Sequence, residues 1–437
     1  MTSPLAVHGG TPTIKKDFSK FNTFDDKEIV AASDVLKSGN LSSYLGAPGE
    51  KFYGGEQVLR FENEFAEVFK VKNAISVNSW TSGLWAIIGA LDLEPGSEVL
   101  VSSWTMAATA TTILHWGLIP VFTDIDPLTF NMDFEDICKK TTNRTKAIVS
   151  PDIFGLSAEN IKIKDWCEAN NLIFISDSAQ SPLATDGDGN FTSTVCHIGG
   201  FSLNYHKHMH VGEGGVVVTS DDKLAERVKM LRNHGEVAVG FGNDFQKRQR
   251  GILGMNLRLG EIEAAIGRVQ LKKVQQAVIS RREAGLHLNQ LLSNLSGLKT
   301  VHIPDNYEHS FYVSGFVLDY VENNQLPTRE TLLLALKAEG VPALMGGYQN
   351  IHKLPLFAGQ LAIGETGWPY SLLENRRREE ISKTKLRTAE SYHDKLFFGI
   401  NLCAHNYDQG EINLISKAFL KVWENLSLLK STSKNGN

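Results

Sequence analysis

The sequence predicts an α/β protein: a mostly parallel sheet covered by helices on both faces, with a smaller α+β part behind it. Three observations point there. From about residue 25 to 235, short apolar runs of strand length alternate with amphipathic helical stretches. These runs are continuous rather than alternating, as in strands buried on both faces. After about residue 260 the pattern changes to one long helix and then to mixed strands and helices.

The elements follow in order. Ile29, Ala32, Val35 and Leu36 recur at helical spacing, and Gly39 follows as a stop. Val58, Phe61, Phe65 and Val68 mark a second amphipathic helix. Residues 74–77 read as a strand and 81–91 as the helix after it. Further strands are expected at 98–101, 119–122, 147–153, 172–175 and 215–219. Helical stretches over 107–117, 133–140 and 159–170 separate most of them. Residues 260–292 read as one long helix with Ile262, Ala265, Ile266 and Val269 on one face. A strand at 312–318, a helix at 329–339 and a closing helix at 410–428 complete the chain. The expected division is an N-terminal segment over 1–24, a large domain over 25–275 and a small domain over 276–437.

Composition excludes several classes. Apolar residues make up 42% and charged residues 21% of 437, which is ordinary globular usage. The net charge of −5 leaves no electrostatic footprint for nucleic acid. No apolar run approaches the roughly 18 residues that a membrane helix needs. The start of the chain has neither a basic stretch nor an apolar one, so no export signal is expected. Cys138, Cys167, Cys196 and Cys403 are scattered, with no C-x-x-C pair, and read as buried structural thiols in a reducing, cytoplasmic setting.

Open parallel sheets bind ligands at the C-terminal ends of their strands. After 74–77 comes Asn78-Ser79-Trp80-Thr81-Ser82-Gly83, small hydroxylated residues opening a helix. Free N–H groups and the positive dipole end make this a phosphate cradle, although Thr81 would serve equally as a plain N-cap. After the next strand, Trp104 could cover one face of a planar cofactor or simply pack in the core. Asp177 ends an apolar strand at the rim of the sheet and could pair with a protonated ring nitrogen. Ser202 and Lys207 follow another strand, with Gly212-Glu213-Gly214-Gly215 behind them. A lysine in such a pocket can form a Schiff base with an aldehyde cofactor once its pKa falls. In this order the pieces fit a pyridoxal phosphate site. Thr81, Ser82 and Ser202 take the phosphate, Trp104 covers the ring, Asp177 holds the ring nitrogen, and Lys207 is the catalytic amine.

At this point the chain resembles the DegT-type sugar aminotransferases, a branch of the fold-type I pyridoxal phosphate enzymes. Residues 201–215 look like the family's lysine motif, Phe-Ser-x-x-x-x-Lys followed by Gly-Glu-Gly-Gly. Residues 173–180 match its strand ending in Asp-x-Ala-Gln. Residues 5–12, 124–133 and 254–267 match further family segments. The resemblance implies a seven-stranded sheet, a homodimer with shared active sites, and a bond from Gln180 to the cofactor's phenolic oxygen. It also implies that Asn256 reaches the partner's cofactor phosphate. The implied reaction moves an amino group from glutamate, by way of pyridoxamine phosphate, to a keto group on a nucleotide-linked deoxysugar. Trp80 stands where the family commonly has Gly, and the segment 42–55 is longer than its counterpart.

Other readings stay open. Relatives with His in place of the lysine are ketosugar dehydratases, and His206 and His208 flank Lys207 here. His206, His208 and His210 form H-x-H-x-H, which on a strand would turn three rings one way toward a metal. That would make a metal-dependent enzyme, whereas the cofactor reading expects no metal. A binding or regulatory protein on the same fold would not need Lys207, Asp177 and Ser202 together. His206, His208 and Tyr348 are candidate substrate contacts, and Arg376-Arg377-Arg378 reads as a solvated helix face.

Overall fold

The computed structural model describes residues 4–249 and 251–430. Seven strands form the larger sheet: β1 (Asn73–Val77), β2 (Glu98–Ser102), β3 (Ile119–Thr123), β4 (Thr145–Pro151), β5 (Ile173–Asp177), β6 (Ile198–Ser202) and β7 (Gly215–Thr219). Their order is β1-β7-β6-β5-β4-β2-β3. Only β7 runs against its neighbours, so the sheet is mostly parallel, as expected. The C-terminal ends of β1, β2, β4, β5 and β6 therefore emerge along one edge. The inner strands are apolar almost throughout because helices cover both faces; Val99, Leu100, Val101, Ile148, Val149 and Phe174 are fully buried.

The helix Glu261–Leu292 joins two cores. Its first half packs Ala264, Leu271 and Val274 against Phe61 and Phe65, and its second half places Leu288 and Leu292 in a separate core. That second core belongs to an antiparallel sheet of β8 (Leu298–Thr300), β9 (Val313–Leu318), β10 (Leu344–Met345) and β11 (Phe397–Asn401), in the order β10-β11-β9-β8. Successive side chains of β11 point to opposite faces. Phe398 enters the second core with Phe316 and Phe419, while Phe397 joins the first core beside Trp104. Gly315 lets β9 approach Phe130, in the loop after β3: a Cβ there would lie 2.8 Å from the Phe130 ring. Leu5, Ile14 and Phe18 from the N-terminal segment also enter the second core.

Two expectations change. The helix Asp26–Ser38 is capped as predicted, with an Asp25/Glu28 capping box and Gly39 at φ 72°. Its apolar positions do not form a core face, however, because only Val35 is buried and Ile29 and Leu36 are exposed. The contact with the long helix is polar instead, with Glu28 accepting from Gln270 and Lys273. Within the arginine run, Arg377 is not solvated. It makes two 2.7 Å bonds to the fully buried Glu98 at the start of β2. This pair ties the long connection between β10 and β11 to the large sheet, where Phe357, Tyr370 and Leu386 are buried in the first core.

Candidate active site

A cavity of about 430 Å³ opens at the C-terminal ends of β1, β4, β5 and β6. On one side is the start of the helix Trp80–Ala90. Ser79 is its N-cap, and its Oγ accepts from Ser82 N. The N–H groups of the first turn have no partner within the helix. Thr81 and Ser202 line the cavity beside them. Ser82 does not line it, contrary to expectation, because its hydroxyl turns back to Ser79 Oγ at 2.9 Å.

Asp177 also lines the cavity. Each carboxylate oxygen already holds a donor: Trp80 Nε1 donates to Oδ1 at 2.6 Å and Thr109 Oγ1 to Oδ2 at 2.9 Å. Burial raises the carboxyl's pKa, and these donors together with the charge of Lys207 oppose the rise.

Lys207 lines the cavity from a tight loop after β6. Leu203 N donates to Gly214 O and Val211 N to Leu203 O, which folds the loop over the sheet edge. The lysine is 7% exposed, and its Nζ lies 4.4 Å from the centre of the Tyr312 ring. Burial pushes its pKa down to about 8, with the Asp177 charge pulling the other way. No ion pair holds it among the described residues.

Gln180 is oriented at both ends of its amide. Oε1 accepts from Phe154 N at 2.8 Å and Nε2 donates to the Tyr348 hydroxyl at 2.5 Å. Phe154 adopts φ 57°, unusual for a side chain of its size, between stacked Tyr348 and Phe397 rings. Tyr348 lines the cavity, and burial raises its pKa.

Trp104 is a correction. It is fully buried and lines no part of the cavity. Its Nε1 donates to Tyr348 O, and its ring packs edge-on to Phe130, Phe154 and Phe397. An aromatic residue just past a strand end has two options, and here the aromatic core takes it. Met106 and Tyr312 line the cavity.

The histidines also separate. His206 lines the cavity, and burial pushes its pKa down to about 4. His208, expected as a substrate contact, is fully buried with Nε2 2.8 Å from Ser310 O, turned away from the cavity. His210 packs on Phe24. The run lies in a loop beyond β6, so the three rings share no face, and among the described residues no group of three His, Cys, Asp or Glu could hold a metal. Asn256 sits outside this cavity in a bridge to Asn233. The four cysteines are free; Cys167 and Cys403 are buried, Cys138 and Cys196 half-buried. No helix among the described residues is long and apolar enough to cross a membrane.

Sequence reasoning missed Thr109, Tyr312 and Met106. Thr109 and Tyr312 come from other elements, and no local signal marks them. Trp80 was visible as a departure from the family pattern, but its contact with Asp177 was not.

An amine, a fixed carboxylate and a hydroxyl-lined helix start around one cavity have the donor chemistry that pyridoxal phosphate requires, so the residues present fit that group. The fold and site define a pyridoxal phosphate-dependent aminotransferase of fold type I. A profile of the DegT/DnrJ/EryC1/StrS aminotransferase family matches residues 46–371, and the chain belongs to that family. It is 29% identical to a GDP-perosamine synthase of Vibrio cholerae, over 70% of this chain and 82% of the relative. It is 26% identical to an L-glutamine:2-deoxy-scyllo-inosose aminotransferase of Streptomyces kanamyceticus, over 98% and 99% of the two chains. The solved aminotransferase of Psychrobacter cryohalolentis superposes with a TM-score of 0.79 at 25% identity, covering 94% of this chain and all of that one.

Proposed function

We propose that the protein transfers the amino group of glutamate to the keto carbon of a nucleotide-linked deoxysugar, acting as a cytoplasmic homodimer with shared active sites. The observation that carries this reading is the buried Lys207 amine, in one cavity with Asp177 and the start of the helix Trp80–Ala90. Pyridoxal phosphate, when bound, supplies an aldehyde carbon and a protonated ring that draws electrons from the substrate's α carbon. Thr81, Ser202 and the N–H groups of the helix start hold its phosphate. Asp177 would keep the proton on the ring nitrogen, and the Gln180 amide would donate to the phenolic oxygen. With the group bound, Lys207 would take up and give back the proton that leaves the substrate's α carbon. Burial suits it to both steps: an amine with a pKa near 8 is neutral in a useful fraction of molecules and is still basic. His206 and Tyr348 contact the substrate as neutral groups.

Exposed Leu253 and Met255, two residues apart in the chain and next to Asn256, support a partner subunit that covers this stretch. Asn256, one residue from Met255, is then carried toward the partner's site. A dehydratase would need a histidine where Lys207 stands. His208 faces the Ser310 carbonyl, and only His206 of the two reaches the cavity.

The test is a panel of keto-sugars, nucleotide-linked and free, offered with glutamate or glutamine. The panel includes a free keto-cyclitol, since the relative matched end to end is named for one. The expected result is 2-oxoglutarate release coupled to amination of a nucleotide-linked sugar. Elimination of water without an aminated product would replace transfer by dehydration.

A further inference from the structure

Trp80 is the first residue of its helix, and its side chain is 6% exposed. The indole lies in a slot made by glycines. A Cβ at Gly200 would lie 2.5 Å from its Cζ3, and one at Gly83 would lie 2.8 Å from its Cε3. Gly200 pairs with Asp177 across the parallel β5–β6 ladder. The neighbouring strand is therefore bare of side chain at the level of Asp177, and the indole crosses that gap to donate at 2.6 Å to Oδ1. Thr109 donates to Oδ2 at 2.9 Å, and Ala179 N reaches Oδ1 at 3.3 Å. An ionised carboxylate offers about four acceptor positions. Three are taken by the protein.

We propose that Trp80 is a positioning residue for the reaction: its indole N–H holds the Asp177 carboxylate ionised and oriented, leaving one lone pair for the cofactor's ring nitrogen. This rests on the role given to Asp177 above and deepens it. A neutral donor to an anion lowers the anion's hold on a proton, so the shared proton stays on the ring nitrogen, where it is needed. Full burial works against the carboxylate, which makes the donors necessary. The titratable groups that sense this charge are Lys207 and Tyr348.

The experiment uses the full chain. Trp80→Phe keeps the ring and removes only the donor. Infrared difference titration of the cofactor-free protein follows the protonated carboxyl band that is lost in Asp177→Asn. The midpoint in Trp80→Phe is expected to rise by about one unit, the size of one hydrogen bond to a charged group. A folded variant with an unmoved midpoint overturns the proposal, since packing alone would change only the melting temperature. If Trp80→Phe does not fold, the wild-type indole N–H spectrum decides. One of the seven tryptophan signals should lie far downfield and move in Asp177→Asn, and the absence of any such signal overturns the proposal. The ring-nitrogen chemical shift of the loaded protein separates the two readings. If it is unchanged in Asp177→Asn, the assignment of Asp177 to the cofactor fails, while the infrared midpoint still reports on the Trp80 contact.

Discussion

The seven-stranded sheet ends in polar side chains that are each held by a partner, whereas the four-stranded sheet is built around apolar rings. At the ends of β4, β5 and β6, Asp152, Asp177 and Ser202 are at least half-buried, and both carboxylates accept several hydrogen bonds. In the smaller sheet Phe316, Phe398 and Ile400 share one core with Phe419 of the helix Gln409–Trp423, and the sheet meets the cavity at Met345 of β10 and at Tyr312, just before β9. The topology explains the contrast. Parallel strands with helical crossovers all end on one edge, so their polar termini converge. Antiparallel strands alternate their ends, so no edge collects them. Chemistry and stability are thus largely separable, and substitutions should show it.

The largest effect is expected at the polar edge. Lys207→Ala should lower amino transfer by about 10³-fold or more, because the group that moves the proton is gone. Its melting temperature should stay close to wild type, since the amine holds no ion pair. Near-normal turnover in that variant would break the assignment. Asp177→Asn should retain cofactor, measured by absorbance, and slow both half-reactions on the order of 10²-fold.

The smaller sheet should respond in the opposite sense. Phe398→Ala should cost about 3–5 kcal/mol in denaturant unfolding while leaving turnover of the folded fraction nearly intact. A parallel loss of turnover would mean the two regions are coupled. Arg377→Ala should cost a similar 3–5 kcal/mol, because it leaves Glu98 buried and unpaired.

The mildest test is electrostatic. In cofactor-free protein, reaction of Lys207 with an aldehyde reagent should rise with pH through about 8, as the amine loses its proton. The Asp177 charge holds that pKa up, so in Asp177→Asn the midpoint should move to lower pH. An unmoved midpoint would mean the carboxyl is already neutral beside the amine.

Much of the site was legible because its residues sit at strand ends in chain order. Asp177 and Ser202 end apolar strands, Lys207 lies in the loop after β6, and Thr81 opens a helix; each position is fixed by local pattern. The misreadings have one cause. Trp104, His208 and Ile29 each had two environments open to them, and local sequence does not say which face of an element meets which neighbour. Trp104 went to the aromatic core because β11 brings Phe397 against it. His208 went to Ser310, about a hundred residues further along the chain. Arg377 found Glu98 across the molecule for the same reason.

The sequence by itself determined the alternation of strand and helix, the parallel sheet and the order of its polar strand ends, because hydrophobic periodicity and turn residues act over a few positions. Only the tertiary structure decided that Trp80 reaches Asp177, that Tyr312 faces Lys207 and that Gln180 meets Tyr348. Those contacts join elements distant in the chain, and they form only when the strand register and the glycine gaps bring them within hydrogen-bonding or ring-contact distance.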